Sequence, residues 1–288
     1  MIVNSFQLAE HPWLSLLIVI LAEAIGMVFF AMVVISLFKR LRGAPMTTFI
    51  HNLLGHILVL FVLVPFVFGL PGGTRSFSAY VEAIRLSQVQ PFPQLLLLGL
   101  SCSLILALCQ VCGTLVYRMR EGKPITWSFV RGILDVSGQL PPKSWDVLYT
   151  FPCVFEEVAF RGVILALFLR FYDPLVAVLF SAIGFGASHV LNLVNGRAPV
   201  WVAGQVVWAA ILGLFYGYVT LKTGSLLPAM LVHYLGNLFI APFIGYVNTS
   251  ASAKTQAIYG VIFSAGLVPT TLMILWVILF TTLWPVVG

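Results

Sequence analysis

Long runs of apolar residues, separated by short polar or turn-forming stretches, extend along the whole chain. Each run has about 20 residues or more, enough for a helix to cross a hydrocarbon core ~30 Å thick. A segment in lipid must satisfy its own backbone hydrogen bonds, so each run is predicted to be an α-helix. The predicted spans are approximately residues 13–38, 46–70, 93–117, 146–171, 174–194, 199–221, 225–246 and 257–287.

These spans predict an all-α, polytopic integral membrane protein of about eight transmembrane helices. The chain is interpreted as a single membrane domain over residues 1–288. Its predicted parts are spans one to three in 1–118, an amphipathic loop at 119–144, a core bearing the polar motifs at 145–245, and a C-terminal span at 257–287.

Composition supports a membrane protein and argues against a nucleic-acid partner. The 288 residues are 60% hydrophobic and only 8% charged, whereas soluble domains carry about 25% charged residues. The net charge of +6 comes from basic residues in short loops, where they set topology. Ten of them fall on one side of the predicted spans and four on the other, so both termini are expected to face away from the cytoplasm.

The fourth span contains the segment "FEEVAFRG", in which three charged residues interrupt an apolar run. Glu157 and Arg161 are four residues apart and are predicted to form an ion pair on one helix face. Glu156 is turned about 100° away from Glu157 and is left over. Two interpretations stay open: Glu156 is a protonated residue that joins helices, or it acts as a general base toward water.

Two histidines lie inside later spans beside polar companions. "FGASHVLN" places His189 and Asn192 near the end of the fifth span, and "LVHYLGN" places His233 and Asn237 on one face of the seventh. Counted along the helices, these groups and Glu156 lie at similar depths, which predicts a polar cavity enclosed by the helices.

This combination of side chains suits peptide-bond hydrolysis. A glutamate or histidine can take a proton from water, and histidine and asparagine can donate hydrogen bonds to an oxyanion. Glu156, His189 and His233 are alternatively a zinc ligand set. The sequence contains no H-E-x-x-H and no G-x-S-x-G, so neither the common zinc motif nor a nucleophile elbow supports another protease class.

The polar motifs resemble those of the CAAX prenyl protease and bacteriocin-processing family, which includes the Ras-converting CAAX endoprotease. "EEVAFRG" is similar to the family's E-E-x-x-x-R motif, "FGASH" to F-x-x-x-H and "HYLGN" to H-x-x-x-N, in the same order over residues 145–245.

The resemblance implies an all-helical intramembrane protease whose cavity opens toward the cytoplasm. It implies that Glu156 and His189 activate water, that His233 and Asn237 stabilise the oxyanion, and that Glu157 and Arg161 support the site. Phe185 of the second motif and the nearby Asn192 are expected to be supporting residues as well.

The implied substrate is a peptide or lipidated protein in the bilayer, either a prenylated CAAX protein that loses its last three residues or a bacteriocin-type peptide. The expected location is the inner membrane in a bacterium or the endoplasmic reticulum membrane in a eukaryote. No cofactor is expected, with zinc as the alternative.

Two other classes of protein remain open from the sequence. One is a catalytically silent membrane scaffold. The other is a proton-coupled transporter in which Glu23, Glu156 and Glu157 form a proton relay. Glu23 itself is interpreted as a relay residue, the counter-ion of an arginine, or a protonated acid. His51 and His56, near the end of the second span, are expected at the membrane interface.

Overall fold

The computed structural model describes residues 8–37, 45–71, 76–129, 150–194, 196–240 and 251–285. These residues are helical almost throughout and contain no strand, which confirms the all-α prediction. The α-helices are α1 Pro12–Leu37, α2 Pro45–Leu58, α3 Phe77–Ala83, α4 Phe92–Arg120, α5 Pro152–Glu157, α6 Leu165–Phe168, α7 Pro174–Ser188, α8 Pro199–Thr223, α9 Leu227–Leu235, α10 Ala253–Tyr259 and α11 Leu267–Leu283.

Several helices continue into turns of a different pitch. Wider π-helical turns occupy Val59–Val67, Val158–Ile164, Gly236–Ile240 and Gly260–Ser264, and a tighter 3₁₀ segment, His189–Leu193, follows α7. We call the continuous stretch Pro152–Phe168, made of α5, the π-helical turns and α6, the motif segment.

Six helical stretches within the described ranges are long and apolar enough to cross a membrane. They are Pro12–Val33, Phe49–Val67, Phe92–Arg120, Pro174–Leu193, Pro199–Thr223 and Ala253–Leu283. They coincide with the first, second, third, fifth, sixth and eighth predicted spans. The fourth and seventh predicted spans, and most of the predicted loop 119–144, run into residues outside the described ranges, so the number eight stays a prediction.

Proline and capping residues explain where several helices begin and end. Pro152, Pro174 and Pro199 occupy the first turn of α5, α7 and α8, where a missing N–H costs nothing. The Asp173 carboxylate accepts hydrogen bonds from the first backbone N–H groups of α7. Gly224 ends α8 in the left-handed conformation, with φ 67°.

The contact between α7 and α8 is the most extensive between helices in the described part of the chain, and small residues make it close. A Cβ added to Gly186 would lie 2.5 Å from the carbonyl oxygen of Val206, and one added to Gly217 would lie 2.8 Å from Val178 Cγ1. The two helices are therefore held at near backbone contact, which fixes the side chains they carry relative to each other.

The motif segment lies at the centre of the bundle. Its α5 part contacts α2 and α9, and its π-helical turns contact α1, α7 and α8. Every residue from Glu157 to Leu165 is buried. The hydroxyl of Ser181 on α7 donates a hydrogen bond of 2.7 Å to the carbonyl oxygen of Phe160 within the π-helical turns, which links the two helices at this level.

Candidate active site

Glu157 and Arg161 form the predicted ion pair on the motif segment. Arg161 Nη1 lies 3.3 Å from Glu157 Oε1, and neither side chain is exposed. The guanidinium is held between two aromatic rings, 4.3 Å from the ring centroid of Phe185 and 5.0 Å from that of Tyr216. Phe185 thus supports the site by packing against the cation of this pair.

His233 on α9 joins the same pair, a contact that the sequence did not predict. Its Nδ1 lies 2.7 Å from Glu157 Oε1, although the two residues are 76 positions apart. An ionised carboxylate only accepts hydrogen bonds, so Nδ1 carries the proton and donates. The imidazole also stacks on the ring of Tyr216, with centroids 5.2 Å apart. These two contacts fix the position of the imidazole ring.

Glu156 differs from its neighbour in being open. Its side chain is 39% exposed, whereas that of Glu157 is 0% exposed. Glu156 Oε2 lies 3.9 Å from Nε2 of His233, too far for a direct hydrogen bond. The carboxylate of Glu156 is therefore the accessible one of the two. It faces Nε2 of His233, whose Nδ1 is bonded to Glu157.

His189 stands at the end of α7, where the helix tightens into its 3₁₀ segment. Its Nδ1 lies 2.9 Å from the carbonyl oxygen of Phe185. A carbonyl oxygen cannot donate, so Nδ1 carries the proton and Nε2 of the neutral ring keeps its lone pair. This tautomer leaves His189 able to accept a proton or a hydrogen bond from water.

The predicted catalytic residues line one cavity of about 230 Å³. Glu156, His189, His233 and Asn237 are on its wall. The same wall contains polar and aromatic residues that no sequence motif had marked: Gln110 from α4 and Trp208 and Tyr216 from α8. The structure thus brings together an acid, two imidazoles and an amide from three parts of the chain.

Asn192 does not reach this cavity. Its amide nitrogen donates a hydrogen bond of 2.8 Å to Oε1 of Gln205 on α8, and Gln205 lines the cavity instead. Asn192 therefore acts on the cavity only indirectly, by holding the side chain of Gln205 on its wall.

The alternative zinc set does not fit this arrangement. Within the described ranges no three His, Cys, Asp or Glu side chains lie close enough together to hold a metal ion. We therefore derive no catalytic step through zinc from the set Glu156, His189 and His233, and metal independence stays a prediction.

A second buried pair lies close to the cavity. Glu23 Oε2 on α1 is 2.6 Å from His56 Nδ1 on α2, and both residues are more than nine-tenths buried. His56 is buried in the α1–α2 contact, and its ring stacks on Phe155 of the motif segment, while its depth in the membrane stays a prediction. The partner of Glu23 is a histidine and not an arginine.

Comparisons with known proteins agree with the motifs on the central part of the chain. Residues 141–239 match the sequence profile of a family described as Type II CAAX prenyl endopeptidase Rce1-like. The uncharacterized protein YyaK of Bacillus subtilis (strain 168) is 32% identical over 95 residues, which is 33% of this chain and 31% of the relative. The chain thus spans about a third of the length of this curated relative.

No solved structure matches this chain. The profile match contains the three motifs and all four residues that line the cavity as candidate catalytic groups, and it confirms the resemblance that the sequence indicated. Residues 141–239 of this chain are therefore similar to the Rce1-like family of type II CAAX prenyl endopeptidases.

Proposed function

We propose that the protein is an intramembrane endopeptidase that hydrolyses a peptide bond with water activated by Glu156 and His189. The observation that carries the proposal is the unequal environment of two adjacent carboxylates. Glu157 is fully buried between Arg161 and His233, whereas Glu156 opens into the cavity that contains both histidines and Asn237. A catalytic base must be reachable by water, and Glu156 meets that condition.

The attacking water is held between Glu156 and the Nε2 lone pair of His189. Glu156 takes one proton as the water oxygen bonds to the scissile carbonyl carbon. The carbonyl oxygen becomes an oxyanion, which accepts hydrogen bonds from His233 and Asn237. The C–N bond then breaks as the proton on Glu156 passes to the leaving nitrogen, which departs as an amine.

His233 suits the oxyanion role because Glu157 holds it from the other side. The bond from Nδ1 to Glu157 fixes the orientation of the ring, so that Nε2 is the nitrogen that donates to the oxyanion when it carries a proton. Arg161 in turn supplies the positive charge beside Glu157, since the two side chains are in contact and both are fully buried. The ion pair thus acts on the reaction through His233 and does not touch the substrate.

The proposed substrate class rests on the similarity of residues 141–239 to that family and on the apolar surroundings of the site. The proposed substrates are prenylated CAAX proteins, cut after the modified cysteine with release of a tripeptide, or bacteriocin-type peptides. The protein acts as a multi-pass enzyme, in the inner membrane of a bacterium or in the endoplasmic reticulum membrane of a eukaryote.

The test is hydrolysis by the purified protein in ¹⁸O-labelled water. A quenched fluorescent farnesyl-peptide and a prenyl-free peptide of the same sequence serve as substrates, with mass spectrometry of the products. We expect one cut and one ¹⁸O atom in the new carboxyl group. Tight binding of the peptide without any cut would instead favour the catalytically silent scaffold.

A further inference from the structure

A second cavity, of about 420 Å³, adjoins the candidate active site and is not used in the proposed reaction. Glu156, His189 and Gln205 line both cavities, so the two share one wall. The other side is formed by α1 and α2, which lie outside the region that matches the family profile. We call this space the α1–α2 cavity.

The polar wall of the α1–α2 cavity is acidic. It contains the carboxylates of Glu23 and Glu156, the imidazoles of His56 and His189, and uncharged polar side chains. No lysine or arginine is among the described residues that line it. Two carboxylates therefore lie on this wall with no lysine or arginine beside them.

Glu23 has an unused hydrogen-bonding capacity. Glu23 is more than nine-tenths buried, yet its Oε1 atom has no hydrogen-bond partner within the described part of the chain. The approach of His56 to Oε2, at 2.6 Å, lies outside the angular range of a hydrogen bond. Burying a carboxylate without enough hydrogen-bond donors costs free energy, because its hydrogen bonds to water are lost and are not replaced by hydrogen bonds to protein. A donor that enters the cavity would supply what is missing.

We propose that the α1–α2 cavity is a substrate subsite for the ammonium or guanidinium group of a lysine or arginine near the scissile bond. The inference rests on the proposed function, since the shared wall at Glu156 puts this group next to the reacting peptide. The cation sits against Glu23, and the amides of Asn52 and Gln205 are polar partners on the cavity wall. The carboxylates of Glu23 and Glu156 also disfavour an acidic residue, or the free carboxylate of a peptide terminus, at this position.

The test compares fluorogenic peptides that differ at one position, with lysine, norleucine or glutamate placed in turn at each of three positions on either side of the cut. Purified full-length protein is used in a detergent without aminophospholipids, so that lipid headgroups cannot supply the amine. At one position we expect lysine to raise kcat/KM about tenfold over norleucine, the effect of one hydrogen bond to a charged group. Glutamate at that position should be the poorest substrate.

Glu23→Gln should remove the preference for lysine, so that the lysine and norleucine peptides are cut at similar rates. Glu82→Gln is the matched control, because Glu82 is exposed on α3 and away from the cavity, and it should keep the preference. If Glu23→Gln does not fold, Asn52→Lys provides a second test. The introduced ammonium lies on the cavity wall and should abolish the preference in a protein with an unchanged Tm.

Equal kcat/KM for lysine and norleucine at every position would overturn the subsite while leaving hydrolysis established. If no peptide is cut, the proposed function fails, and the dissociation constants of the same peptides decide the subsite separately. A lysine peptide that binds about tenfold more tightly than its norleucine counterpart, and only when Glu23 is present, supports it. Equal dissociation constants refute it.

Discussion

At the scale of single residues, the environment separates two neighbouring glutamates into different roles. Glu157 points into the bundle, where Arg161 and His233 share its Oε1 atom at 3.3 Å and 2.7 Å. Glu156 is turned by about 100° and opens into the cavity. Two chemically identical side chains thus become a structural anion and a candidate base, as their surroundings dictate.

Arg161→Met should destabilise the protein by about 3 kcal/mol or more, because it leaves Glu157 buried without its cation. Arg170→Met is the matched control: Arg170 is exposed, and its Nη1 donates one hydrogen bond to the carbonyl of Pro71. This control should cost about 1 kcal/mol. Denaturant unfolding in detergent measures both, and equal losses would show that the buried pair does not hold the site together.

At the scale of helices, the motif segment and α7 are positioned by a few close contacts. A Cβ on Gly213 of α8 would lie 3.0 Å from Arg161 Nη2 and 3.1 Å from Ala182, so the glycine leaves room for both the guanidinium and the neighbouring helix. The hydroxyl of Ser181 joins α7 to the π-helical turns at the carbonyl of Phe160. These contacts set where Glu156 and His189 lie relative to each other.

Ser181→Ala removes the hydrogen bond between these two helices and should cost about 1 kcal/mol. We expect kcat to fall as well, because α7 carries His189. Ser103→Ala is the control, since the Ser103 hydroxyl donates to the carbonyl oxygen of Gly99, four residues earlier on its own helix, and to no other residue in the described ranges. The two variants are compared by Tm and by cleavage rate. A Ser103→Ala loss as large as that of Ser181→Ala would contradict the role assigned to the link.

At the scale of the whole molecule, several ionisable groups are buried in the bundle, and many large apolar side chains are exposed on its surface. Glu23, Glu157, Arg161 and His233 are buried, whereas large apolar side chains such as Leu104 are exposed. Such an arrangement suits a protein surrounded by lipid, where an ionisable group is tolerated only in the bundle interior or in a polar cavity. Glu156 and His189 line both of the adjoining cavities, so these two ionisable groups face open space inside the bundle.

Removal of metal ions tests the chemistry of the whole site. We expect the cleavage rate to be unchanged after dialysis against a strong chelator, because no three potential ligands converge within the described ranges. The control is addition of zinc to the dialysed and undialysed protein. A loss of activity that stoichiometric zinc restores would contradict the metal-independent mechanism.

Much of the fold could be predicted from apolar length and from helix-breaking residues. The third predicted span, 93–117, corresponds to Phe92–Arg120, and the sixth, 199–221, to Pro199–Thr223. The π-helical turns could not be predicted, because the choice between hydrogen bonds to the fourth or fifth residue depends on packing. Hydrophobic runs reveal that a helix exists but not its local pitch.

The site was predictable in part. Glu157 and Arg161 could be paired by their spacing on one helix, and the motifs marked Glu156, His189, His233 and Asn237. The contact between Glu157 and His233 joins residues 76 positions apart, so spacing carried no signal for it. The contact of His56 with Glu23 could not be predicted either, because a position near a span end does not tell which helix face meets α1.

Cleavage by Glu156→Gln compared with Glu157→Gln tests the central claim most directly. Both substitutions remove one carboxylate from the same dipeptide. Glu156→Gln should keep the Tm of the parent protein and lower kcat at least about a hundredfold, the scale of general-base catalysis. Glu157→Gln should instead lower the Tm, because Arg161 loses its buried counter-ion. Full activity in Glu156→Gln would contradict the account.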